Sequence, residues 1–390
     1  MLAPRILILT TSHGASHRRA SEALKKAFLS VDPQSAVEIT DAVKLCSRWF
    51  RAYYNSYLIP LRYFPGLWRR IERRQHQGSS TNPLWIYRLG ARGLFRSIDR
   101  FAPDIVVATE VGIGEMAALH KRRAKSSYFL AGLELMDFNR AWVQPEIDLY
   151  PVAHPDLGEE LILAGAPGSR VVDCGMPIDP VYSSLPDRAS TRGALGLREN
   201  TPVLLVLFGG SGFGNARRMA AELLKLRVPV QVVFVTGKNQ SLEKEITNYM
   251  GSAARRAAGP DWKVMGWVNN MHEWMTAADL LLSKPGGGTV MEAAACGLPL
   301  LAFDPLPGNE ERTCEWLEKW RVGLRIATAE DIASVAGRLL TNPEELNALR
   351  ERARSIARPH AARDAAEAIL SRASSRASLL GRGNNPKPPR

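Results

Sequence analysis

Short apolar runs alternate with helical stretches along most of the chain. Residues 5–10 (RILILT) form the first run; the loop TSHGASH and the helical pattern RRASEALKKAFL follow it. Residues 203–208 (VLLVLF) open a second series, leading through GGSGFG into ARRMAAELLKL. Strand, glycine-containing loop, helix is how a doubly wound α/β domain begins, so the pattern predicts two such domains in tandem. Further runs at 37–40, 104–108 and 127–131 in the first half, and at 231–235, 280–283 and 298–303 in the second, are rich in Val, Ile and Leu. That is the composition of parallel strands buried on both faces.

These runs predict the domain organisation. Residues 1–176 form the first α/β domain and 201–342 the second. The Pro-, Ser- and Asp-containing stretch 177–200 reads as a linker. A helical segment from Asn342-Pro343 runs over 343–372, and the polar tail 373–390 is expected to be disordered. A chain of 390 residues is comfortable for two domains and long for one.

Composition narrows the class. An apolar fraction of 45% beside 23% charged residues excludes a mostly disordered chain. Lys+Arg 51 against Asp+Glu 39 gives +12, a balance that favours anionic partners. The four cysteines, Cys46, Cys174, Cys296 and Cys314, show no CxxC spacing, which predicts a reducing compartment and neither a disulfide framework nor a structural zinc site. The opening MLAPRILILTTSHG reads as a first strand rather than a secretory signal, and no run reaches the roughly 18 apolar residues of a membrane span. A cytoplasmic location follows as an expectation.

Residues 44–74 break the alternation. Eight basic residues against Glu72 give net +7, and eight aromatics are interleaved: Trp49, Phe50, Tyr53, Tyr54, Tyr57, Tyr63, Phe64 and Trp68. Pro60 and Pro65 cut the stretch into short helices. Trp and Tyr mixed with Arg is the composition of a membrane interface, although some of these rings must be core. No nucleic-acid-binding module has a counterpart here.

Three loops of the second half carry candidate chemistry. GGSGFG at 209–214 lacks the GxGxxG fingerprint and the GK[ST] of a P-loop, yet glycines at a helix start let backbone N–H groups approach an anion. LSKPGGGTVMEA places Lys284 and three glycines before a helix, with Thr289 and Glu292 at the spacing of a capping box; Glu292 could equally accept hydrogen bonds from a ribose diol. DPLPGNEERT presents Asn309, Glu310 and Glu311 at a strand's carboxyl end, where ligands bind in open α/β sheets. In the first half, His13 and His17 lie in the first strand–helix loop, with His17 at the helix start. His17, Glu110 and Asp137 are general-base candidates, with Glu134 close by; the two that follow apolar runs, Glu110 and Asp137, could also be helix caps.

Residues 266–313 resemble the donor-binding core of the monogalactosyldiacylglycerol synthase family and, more distantly, the MurG-type transferases. The shared pattern runs from GWVNNMHEWM through KPGGGTVMEA and GLP to PGNEE. The opening TTSHGASHRRASEAL and the stretch GMPIDPVY are also similar to the family's loop and linker, so the resemblance spans roughly residues 5–370. It implies a GT-B fold, two Rossmann-like domains facing a cleft. The second domain would bind a UDP-sugar and the first the acceptor. On the matched motifs, Gly210, Ser211 and Gly212 would face the diphosphate, with Gly287, Gly288 and Thr289 supporting it. Glu292 would hold the ribose, Asn309 and Glu310 the sugar hydroxyls, and Val268 would flank the uracil. The chain departs from the family at Asn309 and Thr313, and on the acceptor side at Glu110, Leu135 and Asn139.

The implied activity is an inverting, metal-independent hexosyl transfer from UDP-glucose or UDP-galactose to a membrane lipid hydroxyl such as that of diacylglycerol. His17 and Asp137 stand first among the bases, and no cofactor is implied beyond the donor itself. Residues 44–74 would seat the protein on an anionic membrane, peripherally on its inner face. A non-lipid transferase or a sugar-nucleotide epimerase, and a catalytically silent binding protein, are the alternatives on the same scaffold.

Overall fold

The computed structural model describes residues 3–12, 15–77, 84–136, 138–208, 216–254 and 260–382. Two compact units divide the chain: residues 1–180 with 360–390, and residues 181–359.

The first unit begins β1 (Arg5–Thr10), α1 (Ala15–Val31), β2 (Ala36–Asp41), α2 (Arg48–Asn55), α3 (Leu58–Tyr63), α4 (Pro65–Gln77), α5 (Leu84–Gly90) and α6 (Arg92–Phe101). It continues β3 (Ile105–Ala108), α7 (Val111–Ala124), β4 (Phe129–Gly132), β5 (Tyr150–Val152), α8 (Pro155–Leu163) and β6 (Val171–Asp173). Its main sheet has the order β2-β1-β3-β4, every pair parallel. Ile6, Leu7, Ile8 and Leu9 of β1 are all buried, as a strand covered on both faces requires. Ala20, Ala23, Leu24, Ala27 and Phe28 give α1 one buried stripe at helical spacing. Each large side chain buried this way contributes about 1.5–3 kcal/mol. β5 and β6 form a separate parallel pair, reached from β4 and the residues after it through two isolated bridges, Ala131 with Leu149 and Glu134 with Val152.

The second unit runs α9 (Arg188–Ala194), β7 (Val203–Leu207), α10 (Ala216–Leu223), β8 (Gln231–Val235), α11 (Gln240–Ala254), β9 (Asp261–Met265), α12 (Met271–Ala277) and β10 (Leu280–Ser283). Then follow α13 (Gly287–Ala295), β11 (Leu300–Ala302), α14 (Asn309–Trp320), β12 (Gly323–Arg325), α15 (Asp331–Thr341) and α16 (Pro343–Ile356). The sheet order is β12-β11-β10-β7-β8-β9, again parallel throughout. Strand order reverses between β7 and β10, and such a switch point is where open α/β sheets bind ligands.

Two boundaries differ from the sequence reading. The expected linker 177–200 contains α9, capped by Asp187. Arg188 and Arg192 on α9 pair with Asp279 of the second unit, so this stretch is part of that unit rather than a spacer. The expected helical segment 343–372 consists of two helices, the second running on to Arg382. Pro359 cannot continue α16, and α17 (Ala361–Arg382) starts after it. α17 packs on α1, and Arg376 reaches Asp148 at 2.7 Å, which explains why residues 373–382 are helical rather than disordered. Residues 383–390 lie outside the described residues. No described helix is long and apolar enough to cross a membrane.

Candidate active site

In the first unit the candidate residues gather at the carboxyl ends of β1 and β3, which are neighbours in the sheet. His17, in the first turn of α1, places Nδ1 2.6 Å from the carbonyl oxygen of Thr109. A carbonyl only accepts, so this contact holds the proton on Nδ1 and leaves Nε2 as the ring's basic nitrogen. Thr109 is fully buried and fixed to β1 through its amide and hydroxyl, both donated to the Leu9 carbonyl. His13 lies outside the described residues.

Glu110 follows Thr109 and is the N-cap of α7. Its two carboxylate oxygens accept the amides of Gly112 and Ile113, each at 3.1 Å, and Oε2 also accepts the hydroxyl of Tyr54. Of the two readings open for Glu110, the geometry is that of a cap. Asp137 lies outside the described residues. Glu134 is buried, and its backbone pairs with Pro151 and Ala153 beside β5. Asn139 accepts the Ala141 amide and turns the chain into Trp142. Trp142 fills space above Gly114 and Gly132, where a Cβ would come within 2.6 and 2.8 Å of the indole.

In the second unit the site is built at the switch point. Leu207 and Ser283 are register partners, so the chain leaves β7 and β10 at the same level. Gly210, Ser211 and Gly212, in the loop after β7, lie outside the described residues. After β10, Gly286 caps α13 and the first intrahelical bond is from Val290 to Gly286. The amides of Gly287, Gly288 and Thr289 therefore precede the helical ladder, as donors at the positive end of the helix dipole. This start removes the capping-box reading of Thr289 and Glu292. Thr289 is the third residue of the helix, not its cap, and Glu292 lies one turn deeper, buried.

Two residues past the end of the next strand, β11, lies Asp304, whose φ of +53° puts a non-glycine residue in the left-handed region. Asp304 lies 3.8 Å from Lys284 of the glycine loop, joining the two loops. Gly308, at φ +91° and ψ −112°, holds a conformation that favours glycine and caps α14. Asn309 opens that helix and is exposed; Glu311 accepts the Gly308 amide and is structural. Glu310 accepts the Leu306 amide at 2.6 Å. Burial pushes the Glu310 carboxyl above the ordinary range, against the pull of the Leu306 amide and Lys284. Thr313 is buried and donates to the Asn309 carbonyl.

Val268 follows β9, further along the same carboxyl edge. Beside it Trp267 is half exposed, with the Lys238 ammonium 4.5 Å from its ring centre. The structure thus brings Gly287, Gly288, Thr289, Glu292, Asn309 and Glu310 to the ends of two adjacent strands, with Val268 three strands away. Sequence reasoning missed the part-buried Asp279 cluster and the Tyr54–Glu110 bond. Neither has a local motif, because both join residues far apart in the chain.

Residues 17–178 match the monogalactosyldiacylglycerol (MGDG) synthase family model, and residues 203–312 match the glycosyltransferase family 28 C-terminal domain. On these matches and the relatives below, the chain is a glycosyltransferase. A Bacillus pumilus protein named processive diacylglycerol beta-glucosyltransferase is 26% identical over 376 residues, which cover 94% of each chain. Among solved structures, Acinetobacter baumannii MurG matches this glycosyltransferase with a TM-score of 0.62 at 15% identity, over 94% of this chain and 100% of that one. Anabaena HepE in complex with UDP-glucose matches with a TM-score of 0.55 at 16% identity, over 97% and 99%. The fold of this glycosyltransferase is accordingly GT-B, with two Rossmann-like units in one chain.

Proposed function

We propose that the protein transfers a hexose from a UDP-sugar to the hydroxyl of a membrane lipid of the diacylglycerol type, with inversion at the anomeric carbon. The observation that carries the lipid acceptor is the outer face of α2–α5. Tyr63 is 65% exposed, Trp85 60%, Phe64 59% and Ile59 56%, beside the exposed Arg69, Arg70, Arg73 and Arg74. A water-facing surface of this kind marks a docking site, and aromatic rings beside arginines suit lipid headgroups. The names of the full-length relatives point to the same acceptor.

His17 Nε2 takes the proton of the acceptor hydroxyl as its oxygen attacks the anomeric carbon. The bond to the diphosphate breaks on the opposite face. The amides of Gly287, Gly288 and Thr289, with the loop Gly210–Gly212, receive the charge that develops on the leaving UDP, so no metal is invoked. Glu292 accepts the ribose hydroxyls, Val268 flanks the uracil, and Asn309 with Glu310 orients the sugar. Asp137 is the second candidate base. The membrane face is taken to be cytoplasmic, where the UDP-sugar is.

Incubation with radiolabelled UDP-glucose or UDP-galactose and vesicles containing diacylglycerol tests this reading. Label in the lipid phase, with the anomeric configuration inverted, supports it. Label released only as free sugar or found as an epimerised nucleotide would overturn it.

A further inference from the structure

The face proposed to meet lipid and the nitrogen proposed to take the proton are joined by a short path within the first unit. Helix α2 has two sides. Trp49 and Tyr53, four residues apart, are exposed; Phe50 and Tyr54, four apart on the next stripe, turn inward, with ring centres 5.8 Å apart. The Tyr54 hydroxyl donates to Oε2 of Glu110. Gly112 makes room for it: a Cβ there would lie 2.8 Å from that hydroxyl oxygen. Burial, and next the Glu110 charge, push the phenol's pKa well up, so Tyr54 keeps its proton and acts as the donor.

Glu110 is the residue after Thr109. The Thr109 carbonyl and the Glu110 amide belong to one planar peptide unit. Any rotation of that plane moves the oxygen that holds His17 Nδ1 at 2.6 Å.

We propose that Tyr54 is a positioning residue for His17: through Glu110 and the Thr109–Glu110 peptide it fixes the imidazole's tautomer, and so ties the base to the membrane-facing helix α2. Its catalytic consequence rests on the reading of His17 as the base; its structural content does not. The molecule supplies its own control. Tyr87 of α5 makes the same kind of bond, its hydroxyl donating to Glu115 at 2.8 Å, further along α7 and away from Thr109.

The test uses full-length protein labelled with ¹⁵N-histidine, the His17 signals being assigned by their loss in His17→Gln. The parent is expected to show the Nδ1–H tautomer at His17. Tyr54→Phe is expected to give a mixture of tautomers and to lower kcat on vesicle-borne acceptor about tenfold, roughly the change a lost orienting contact causes, with the KM for UDP-sugar unchanged. Tyr87→Phe should change neither. An unaltered His17 tautomer in Tyr54→Phe, or an equal change in Tyr87→Phe, overturns the proposal. A shifted tautomer together with a fully active His17→Ala supports the positioning and overturns the role of His17 as base. Should Tyr54→Phe fail to fold, Glu110→Gln is read by the same criteria.

Discussion

His17 and Thr109 meet across two adjacent strands, the imidazole Nδ1 lying 2.6 Å from the carbonyl oxygen. Because the acceptor is a backbone carbonyl anchored to β1, the geometry selects one tautomer and presents Nε2 as the base. Replacing His17 with Ala should therefore lower turnover by roughly 10²–10⁴, the usual contribution of a positioned general base. UDP binding, measured by calorimetry, should stay as in the parent. A fully active His17→Ala enzyme would move the role to Asp137.

Glu292 gives a prediction for the donor side. Since α13 begins at Gly287, Glu292 does not cap the helix, and it is buried one turn into it. Glu292→Gln keeps the side chain's size and removes a charged acceptor. UDP affinity should weaken by about 1–3 kcal/mol, the cost of leaving a buried hydrogen-bond partner unsatisfied. Calorimetry showing equal affinity for parent and variant would remove the ribose-binding role.

How much of this was legible in the sequence follows from where each signal resides. β1, β7, β8 and β10 are apolar except at their ends and stand out within a few residues of their true bounds. β9 (Asp261–Met265, DWKVM) is an edge strand exposed along one side, so its polar residues hide it. β5, β6 and β12 are three residues each, too short for any period to show. The glycine loop at 284–288 and the Pro-Gly turn before Asn309 were readable because anion approach and a left-handed turn each demand particular residues locally. The capping box at Thr289 was a misreading of that same local code, since the run of glycines starts the helix earlier. The partners of Asp279 and of Glu110 come from distant segments, and only the fold brings them together.

Asp279 offers a test of the second unit's stability. Its carboxylate receives Arg188, Arg192 and Arg350, each at 2.5 Å, and the Val203 amide at 2.8 Å. Burial alone would raise the carboxyl, but Arg188, the Val203 amide and Arg192 together hold it below the ordinary aspartate value. Folded Asp279 thus binds its proton less tightly than unfolded Asp279. Its contribution is present above the unfolded value and is lost as pH falls through the lower folded value. Asp279→Asn should destabilise the protein by about 3–5 kcal/mol at neutral pH, because three arginines lose their common counter-charge. The loss should shrink on acidification, as the parent's own carboxyl becomes protonated. Urea unfolding of both proteins at neutral and acid pH measures this, and a destabilisation that does not change with pH would show that charge is not its cause.

The last prediction concerns the membrane face. Lipid acceptors stay in the bilayer, and no described helix crosses it, so the described part of the protein must dock to reach them. α4 carries Arg69, Arg70, Arg73 and Arg74, all exposed, and α3 and α5 expose Tyr63 and Trp85 nearby in sequence. A basic residue near an anionic surface contributes about 1 kcal/mol at low salt, falling as salt screens it. Buried aromatic and aliphatic area is not screened in this way. Two classes of variant should therefore separate the terms. Replacing the four arginines with Gln should weaken co-sedimentation with anionic vesicles at low salt and leave the salt-resistant part in place. Replacing Tyr63 and Trp85 with Ser should lower binding at every salt concentration. Neither set should alter the affinity for soluble UDP, because none of these residues lies in the second unit. Vesicle binding absent from the parent at low salt, or indifferent to both sets, would make this face an ordinary helical surface and leave the lipid acceptor without a route to His17.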